Sequence, residues 1–207
     1  MNYLALGDSI SIDDYTEVKG GGAASQFAKL IGADTFQNLT VDGRTTEGVL
    51  ASFGEVTGKP DIVTLTVGGN DLLMGIVHVR TGITMMEQVV NSTLKNLNQI
   101  CGHIAVYNCP TIINTIYDPT DGSDIVAAAI GLPPSMREGF NALNAGIKEA
   151  ANRHDFLLCD LELLFHKHGV VSFNSWIVSH IEPNLKGATA IAKAWHSLVP
   201  ATAGKQR

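Results

Sequence analysis

The segment Asp61-Ile62-Val63-Thr64-Leu65-Thr66-Val67 is followed directly by Gly68-Gly69-Asn70-Asp71. The first part is a continuous run of apolar and β-branched residues, which is typical of a strand buried on both faces of a parallel sheet. The second part combines glycine with polar side chains, as in the turn after a strand. Together they indicate an α/β fold with a ligand site at the edge of the sheet where this strand ends.

Strand-like and helix-like segments alternate on both sides of this central strand. The other predicted strands are Tyr3–Gly7, Thr35–Val41, Thr111–Tyr117 and Phe156–Leu161. The predicted helices are Gly22–Ile31, Thr84–Cys101, a helix entered through residues 133–135 with its apolar face within residues 136–150, and Asn184–Leu198. This alternation predicts a three-layer α/β/α sandwich with a five-stranded parallel sheet of the flavodoxin-like type. No linker or repeat interrupts the pattern, so we expect one domain over residues 1–207.

The composition narrows the class of protein. The chain has 207 residues, of which 45% are hydrophobic and 16% charged, with a formal net charge of −6. Disordered chains need low hydrophobicity and high net charge, so disorder is excluded. The sequence shows no basic stripe, and no apolar run reaches the roughly 18 residues of a membrane span. We therefore expect neither a nucleic-acid partner nor a membrane partner.

The cysteines and the N-terminus suggest a compartment. Cys101, Cys109 and Cys159 are widely spaced and odd in number, which favours reduced thiols over a disulfide framework or a zinc site. Residues 1–6 lack the cationic start of a secretory signal. A cytoplasmic location is the expectation.

Polar, glycine-containing segments follow all the predicted strands. They cover residues 7–15, 42–48, 68–75, 117–124 and 165–184. Because the carboxyl ends of parallel strands lie at one edge of the sheet, we expect these segments to meet there. The functional hypothesis rests mainly on this clustering.

Three of these segments carry residues suited to acyl transfer. Gly7-Asp8-Ser9-Ile10 presents a serine hydroxyl beside free backbone N–H groups, and Asn70 can direct its amide at a developing oxyanion. The N–H of Gly43 is a further candidate donor. Each of these short segments is equally compatible with ordinary turn chemistry when taken alone.

Taken together and in this order, the segments resemble the SGNH/GDSL hydrolases over nearly the full chain. Gly7-Asp8-Ser9-Ile10 is similar to the first block of that family, Gly43 to the glycine of the second, and Gly68-Gly69-Asn70-Asp71 to the third. The resemblance implies a serine hydrolase with Ser9 as nucleophile. It also implies an oxyanion hole formed by the Ser9 N–H, the Gly43 N–H and the Asn70 side chain.

The last block departs from the family pattern. The family usually carries Asp-x-x-His-Pro before the final helix, whereas this chain has Ser179-His180-Ile181-Glu182-Pro183-Asn184. Aligned on Pro183, Glu182 occupies the histidine position and Ser179 the aspartate position. The usual Ser-His-Asp triad therefore cannot be transferred to this sequence.

Four arrangements remain open for the base. His180 can reach Ser9 if the loop differs by two positions, or His168 can enter from the loop after the fifth strand, with Glu182 orienting its imidazole. Glu182 can itself be the base if burial raises its pKa, since the ordinary value near 4.3 makes a carboxylate a poor base. In the fourth arrangement there is no base, and the site binds a ligand without reacting.

The remaining polar segments of the sequence do not indicate a cofactor. Asp13, Asp14 and Tyr15 are expected at the rim of the cleft, and residues 117–133 form a candidate lid or substrate wall. Asp118 and Asp121 with Asp13 lack calcium-loop spacing, so no metal is expected. The first strand also lacks a phosphate-binding glycine loop, which disfavours a flavin or nucleotide protein.

The sequence thus predicts an esterase that cleaves a small or carbohydrate-linked O-acyl group through a Ser9 acyl-enzyme, on a small-molecule ester and without a cofactor. The alternative is a binding module on the same fold for a glycan or an acylated ligand. The substrate and the oligomeric state are not indicated by the sequence.

Overall fold

A five-stranded parallel sheet with strand order β2-β1-β3-β4-β5 forms the centre of the computed structural model, which describes residues 1–199. The strands are β1 (Asn2–Gly7), β2 (Thr35–Thr40), β3 (Ile62–Thr66), β4 (Thr111–Asn114) and β5 (Leu157–Cys159). Every residue of β3 is buried, because this strand pairs with β1 and β4 and is covered on both faces. The order reverses beside β1, which makes the β1/β3 edge the switch point where ligands bind in such sheets.

Helices cover both faces of the sheet. They are α1 (Ala23–Leu30), α2 (Thr46–Ser52), α3 (Gly69–Arg80), α4 (Met86–Ala105), α5 (Asp124–Ala129), α6 (Ser135–His154), α7 (Leu161–Phe165) and α8 (Leu185–Leu198). One apolar core contains side chains of α2, α3, α4 and α6, and the other contains side chains of α1, α7 and α8. The predicted three-layer α/β/α fold is confirmed. Each of the two helical layers packs on the sheet through the apolar stripe of its helices.

The predicted elements differ from the structure mainly in the polar segments. The sequence predicts polar segments and no helix at residues 42–48 and 68–75, but α2 begins at Thr46 and α3 at Gly69. Gly68 adopts φ +114° as the residue before α3, and the acidic Asp71 lies in the favourable first turn of that helix. Turn-forming residues therefore begin the helix here. The candidate lid, residues 117–133, contains α5. The side chain of Ser123 caps this helix by accepting a hydrogen bond from the Val126 N–H (3.3 Å).

A small antiparallel hairpin lies between α7 and α8. Its strands are β6 (Ile177–Val178) and β7 (Glu182–Pro183), and Val178 pairs with Glu182. Ser179 and His180 both have positive φ in the intervening turn. Within residues 1–199, no helix combines the length and the apolar character required for a membrane crossing.

Candidate active site

Ser9 lies directly after β1 at the switch point of the sheet. Asp8 precedes it, accepts a hydrogen bond from the Ile10 N–H (3.3 Å), and donates its own N–H to the Thr66 carbonyl (3.0 Å). Gly7 allows this close approach of the two strand ends, because a Cβ at its position would lie 2.0 Å from the Thr66 carbonyl oxygen. The serine is therefore held in a fixed turn and is only 4% exposed.

The Ser9 hydroxyl donates a hydrogen bond to a carboxylate from the far end of the chain. Its Oγ lies 3.1 Å from Oε1 of Glu182, which is the first residue of β7. Glu182 is 6% exposed, so the contact is shielded from water. The hairpin that carries Glu182 is itself anchored, because the buried Tyr117 donates its hydroxyl to the Ile181 carbonyl and stacks on Phe165.

The surroundings of Glu182 favour a proton-accepting carboxylate. Burial raises the pKa of Glu182 above its ordinary value; the Ser9 hydrogen bond opposes this shift, and the negative charge of Asp42 adds to it. Among the side chains of residues 1–199, Glu182 Oε2 is the buried polar atom that has no hydrogen-bond partner. A buried carboxylate with one unpartnered oxygen is a stronger base than an exposed glutamate.

A second buried carboxyl lies next to the nucleophile. Burial raises the pKa of Asp8 to about 7, hydrogen bonds from Thr66 and Ile10 oppose the shift, and the charge of Glu182 adds to it. The region around Ser9 is therefore acidic. Toward solvent lies the exposed carboxylate of Asp42, which accepts a hydrogen bond from the Tyr15 hydroxyl (3.0 Å).

The loops after β2 and β3 are joined to each other beside Ser9. Asn70, in the first turn of α3, donates its amide to the Arg44 carbonyl (3.1 Å), and the next residue, Asp71, accepts hydrogen bonds from the Thr46 N–H (3.0 Å) and hydroxyl (2.6 Å). Gly43 precedes Arg44 with φ +68°. In the described part of the chain, the N–H groups of Ser9 and Gly43 have no internal acceptor. Backbone donors without acceptors are what an oxyanion hole requires.

A cavity of about 140 Å³ opens at Ser9, Asn70 and Glu182. It extends between β4, α3, α5 and α6, and most of its wall is apolar. The apolar wall includes Ile10, Leu72, Leu73, Ile116, Ala127, Leu132, Met136 and Phe140. A reactive hydroxyl at the mouth of an apolar cavity is the arrangement expected of an enzyme that acts on a partly apolar small molecule.

Comparison with known proteins identifies the family. A model of the GDSL-like Lipase/Acylhydrolase family matches residues 5–190. The chain belongs to this family. Its members are ester-cleaving hydrolases, and this chain is an ester-cleaving hydrolase of that family. No curated protein matches the sequence.

Solved structures with the same fold are distant in sequence. Axe2, an acetylxylan esterase from Geobacillus stearothermophilus, is 16% identical, with a TM-score of 0.73 over 100% of this chain and 97% of that one. Phospholipase A1 from Streptomyces albidoflavus is 19% identical, with a TM-score of 0.69 over 96% of this chain and 99% of that one. An extracellular lipase from Streptomyces rimosus is 19% identical, with a TM-score of 0.67 and the same coverage. These similarities establish the GDSL-like fold.

The GDSL-like site of this chain brings Glu182, and neither candidate histidine, to the serine. His180 is exposed in the hairpin turn, and the imidazole of His168 stacks on Trp176 (3.7 Å between ring centroids) while its Nδ1 contacts the Asn174 carbonyl (3.0 Å). Within residues 1–199, no hydrogen bond or ion pair joins either imidazole to Ser9 or Glu182. In this hairpin Glu182 is buried, whereas Ser179 and His180 lie in the exposed turn between the two strands.

Asp13, Asp118 and Asp121 have structural roles, whereas Asp14 is exposed. Asp13 accepts hydrogen bonds from the N–H groups of Gly20 and Gly22, and Asp121 accepts them from Lys167 and Gly169. Asp118 forms an ion pair with Arg137 (3.3 Å). No group of three or more potential metal ligands is present in the described residues. The role of Tyr117 in anchoring the hairpin has no signal in the sequence, because its partner is a backbone carbonyl 64 residues away.

Proposed function

We propose that the protein hydrolyses a carboxylic ester through an acyl-enzyme on Ser9, with Glu182 as the general base. The observation that supports this proposal is the buried hydrogen bond of 3.1 Å from Ser9 Oγ to Glu182 Oε1. A general base must lie within hydrogen-bond reach of the proton it removes, and its pKa must be close enough to the working pH to accept that proton. Glu182 meets the first condition by position and approaches the second through its raised pKa.

In the acylation step, the Glu182 carboxylate accepts the Ser9 hydroxyl proton while Ser9 Oγ bonds to the acyl carbon. The negative charge moves to the former carbonyl oxygen, where the Ser9 N–H, the Gly43 N–H and the Asn70 amide are the proposed donors. The carbon–oxygen bond to the alcohol then breaks, and the departing alcohol takes the proton from Glu182.

In the deacylation step, water gives a proton to Glu182 and its oxygen bonds to the acyl carbon. The bond to Ser9 Oγ then breaks, the serine recovers its proton from Glu182, and the carboxylic acid leaves. One ester and one water thus become one acid and one alcohol. The substrate that we propose is a small or carbohydrate-linked O-acyl ester. The names of the structural neighbours, which include an esterase and lipases, agree on ester cleavage.

A fluorophosphonate probe tests the activation of Ser9 without knowledge of the substrate. We expect a single adduct in the intact mass of the wild-type protein and none in Ser9→Ala. Glu182→Gln should react about 10²–10⁴ times more slowly, the range by which a general base accelerates a reaction.

His168→Ala, His180→Ala and the exposed-site variant Glu47→Gln are the matched controls, and all three should react at the wild-type rate. An unmodified wild-type protein, or a loss of reaction in a histidine variant together with normal reaction in Glu182→Gln, would overturn the mechanism.

A further inference from the structure

The surroundings of Ser9 differ in chemistry inside and outside the cavity. The cavity lies on one side and has a mainly apolar wall. Asp42, Gly43 and Tyr15 lie outside this cavity, in a polar and acidic region that is open to solvent. An ester bound across Ser9 therefore places one half in an apolar space and the other half in a polar one.

The charged residues that border the cavity do not make it a polar site. Arg137 pairs with Asp118 (3.3 Å) and with Asp124 (2.8 Å), so its guanidinium is engaged and offsets one of the two negative charges. Asn114, also on the wall, donates to the Leu65 carbonyl (2.9 Å) and accepts from the Trp195 indole (2.7 Å). The polar groups that can contact a ligand lie at the mouth of the cavity, around Ser9 and Asn70. Away from the mouth, the cavity therefore offers a ligand mainly apolar contact.

We propose that this cavity binds the acyl chain of the ester, and that the preferred acyl group is an apolar chain several carbons longer than acetate. This inference rests on the proposed function, because the chain is placed relative to a Ser9 acyl-enzyme. Full burial of each added methylene favours the longer ester by about fourfold. The polar alcohol half of the substrate lies outside the cavity, toward Asp42 and Tyr15.

Helix α5 provides a matched pair of variants for testing the cavity. Ala127 lines the cavity, whereas Ala129, two residues further along the same helix, is exposed and does not line it. Ala127→Phe fills the space proposed for the acyl chain, and Ala129→Phe makes the same chemical change outside it. Comparing the two separates the loss of the acyl site from any general effect of phenylalanine on α5.

The experiment measures kcat/KM for p-nitrophenyl acetate and p-nitrophenyl octanoate. We expect the wild-type protein to prefer octanoate by at least about tenfold. The octanoate-to-acetate ratio should fall at least about tenfold in Ala127→Phe and stay within about twofold of wild type in Ala129→Phe. A wild-type preference for acetate, or an equal change of the ratio in both variants, would overturn the proposal.

A binding measurement separates this proposal from the proposed function. Titration calorimetry with octanamide, a non-hydrolysed acyl analogue, is performed on Ser9→Ala alone and combined with each α5 substitution, with acetamide as the short-chain control. Saturable octanamide binding that Ala127→Phe weakens and Ala129→Phe does not supports the acyl site even if no ester is hydrolysed. Ser9-dependent hydrolysis without chain-length preference and without octanamide binding leaves the proposed function standing and rejects the acyl site.

Discussion

A carboxylate in the histidine position changes what the proposed base can do. An imidazole has an ordinary pKa near 6.5, whereas a glutamate near 4.3 must be desolvated to accept a serine proton. Glu182 is desolvated and its Oε2 has no partner among residues 1–199. The chain therefore differs from the family pattern at two positions, Ser179 and Glu182, and the burial of Glu182 raises its pKa toward that of a useful base.

The pH dependence of the reaction should follow Glu182. The general base must be ionised, so kcat/KM should fall as the pH is lowered through the pKa of Glu182, which is raised above its ordinary value by burial. Asp42→Asn removes a charge that raises this pKa and should move the acid limb to lower pH, by less than about one unit and less at high salt. Asp14→Asn is the control and should leave the limb in place. A limb near 6.5 that disappears in His168→Ala or His180→Ala would contradict the assignment.

Asp8 should make the folded protein less stable as the pH rises. Its pKa is raised from 3.8 to about 7 in the folded state, so between these values the folded protein binds more protons than the unfolded chain. Its contribution is fully present below the lower value and is lost as the pH rises toward about 7. Urea unfolding from pH 4 to pH 7.5 should therefore show a decrease in the free energy of unfolding that is smaller in Asp8→Asn. An equal decrease in the wild-type protein and in Asp8→Asn would show that the proton affinity of Asp8 is the same in the folded and unfolded states.

At the scale of elements, α5 is the most weakly attached wall of the cavity. None of its residues is fully buried, and positive-φ glycines, Gly122 and Gly131, flank it. Asp124, the first residue of α5, forms an ion pair with Arg137 of α6. After the end of α5, the Gly131 carbonyl accepts a hydrogen bond from Arg80 (2.8 Å). Exposed ion pairs of this kind contribute at most about 1 kcal/mol each, so α5 should open more readily than the rest of the fold.

Removing the Arg137 ion pairs should loosen α5 selectively. In Arg137→Gln, the backbone amides of residues 124–129 should exchange with deuterium about two- to tenfold faster, because the lost pairs correspond to about 0.5–1.5 kcal/mol of local opening. Arg153→Gln is the matched control, since Arg153 lies on the same helix and pairs with Glu149 away from α5. Exchange at 124–129 that is unchanged, or that changes equally in the control, would show that Arg137 does not hold the helix.

At the scale of the whole molecule, α8 is joined to the sheet by a buried polar contact. The indole of Trp195 is fully buried and donates to Asn114 Oδ1 (2.7 Å), while Asn114 Nδ2 donates to the Leu65 carbonyl (2.9 Å). One side chain of β4 thus joins α8 to β3. The edge-to-face contact of Trp195 with Phe27 extends this packing to α1.

Trp195→Phe should therefore destabilise the entire fold. The substitution leaves a cavity and removes the donor to Asn114, which should lower the free energy of unfolding by about 2–4 kcal/mol. The urea midpoint should fall while the m-value stays constant. Trp176→Phe, the same change at a half-buried position, should cost less than half as much. Equal costs at the two positions would show that the buried indole hydrogen bond is not important for stability.

The sequence alone determined the sheet, the main helices and the order of the candidate residues. These features are local: a buried strand such as 62–66 and the apolar stripe of α4 are visible as periodic patterns, and Ser9 and Asn70 follow strands whose ends must meet. The sequence does not predict helices α2, α3, α5 and α7. The first three begin at or directly after glycine, serine or threonine, which also form loops, and α7 has only five residues.

Contacts between distant parts of the chain select the candidate base that lies at Ser9. Glu182 and Ser9 are 173 positions apart, and the hairpin that carries Glu182 is held by the contact of Tyr117 with the Ile181 carbonyl. Periodicity cannot predict the register of a two-residue strand, nor the burial that raises the pKa of Glu182, because both depend on contacts between distant parts of the chain.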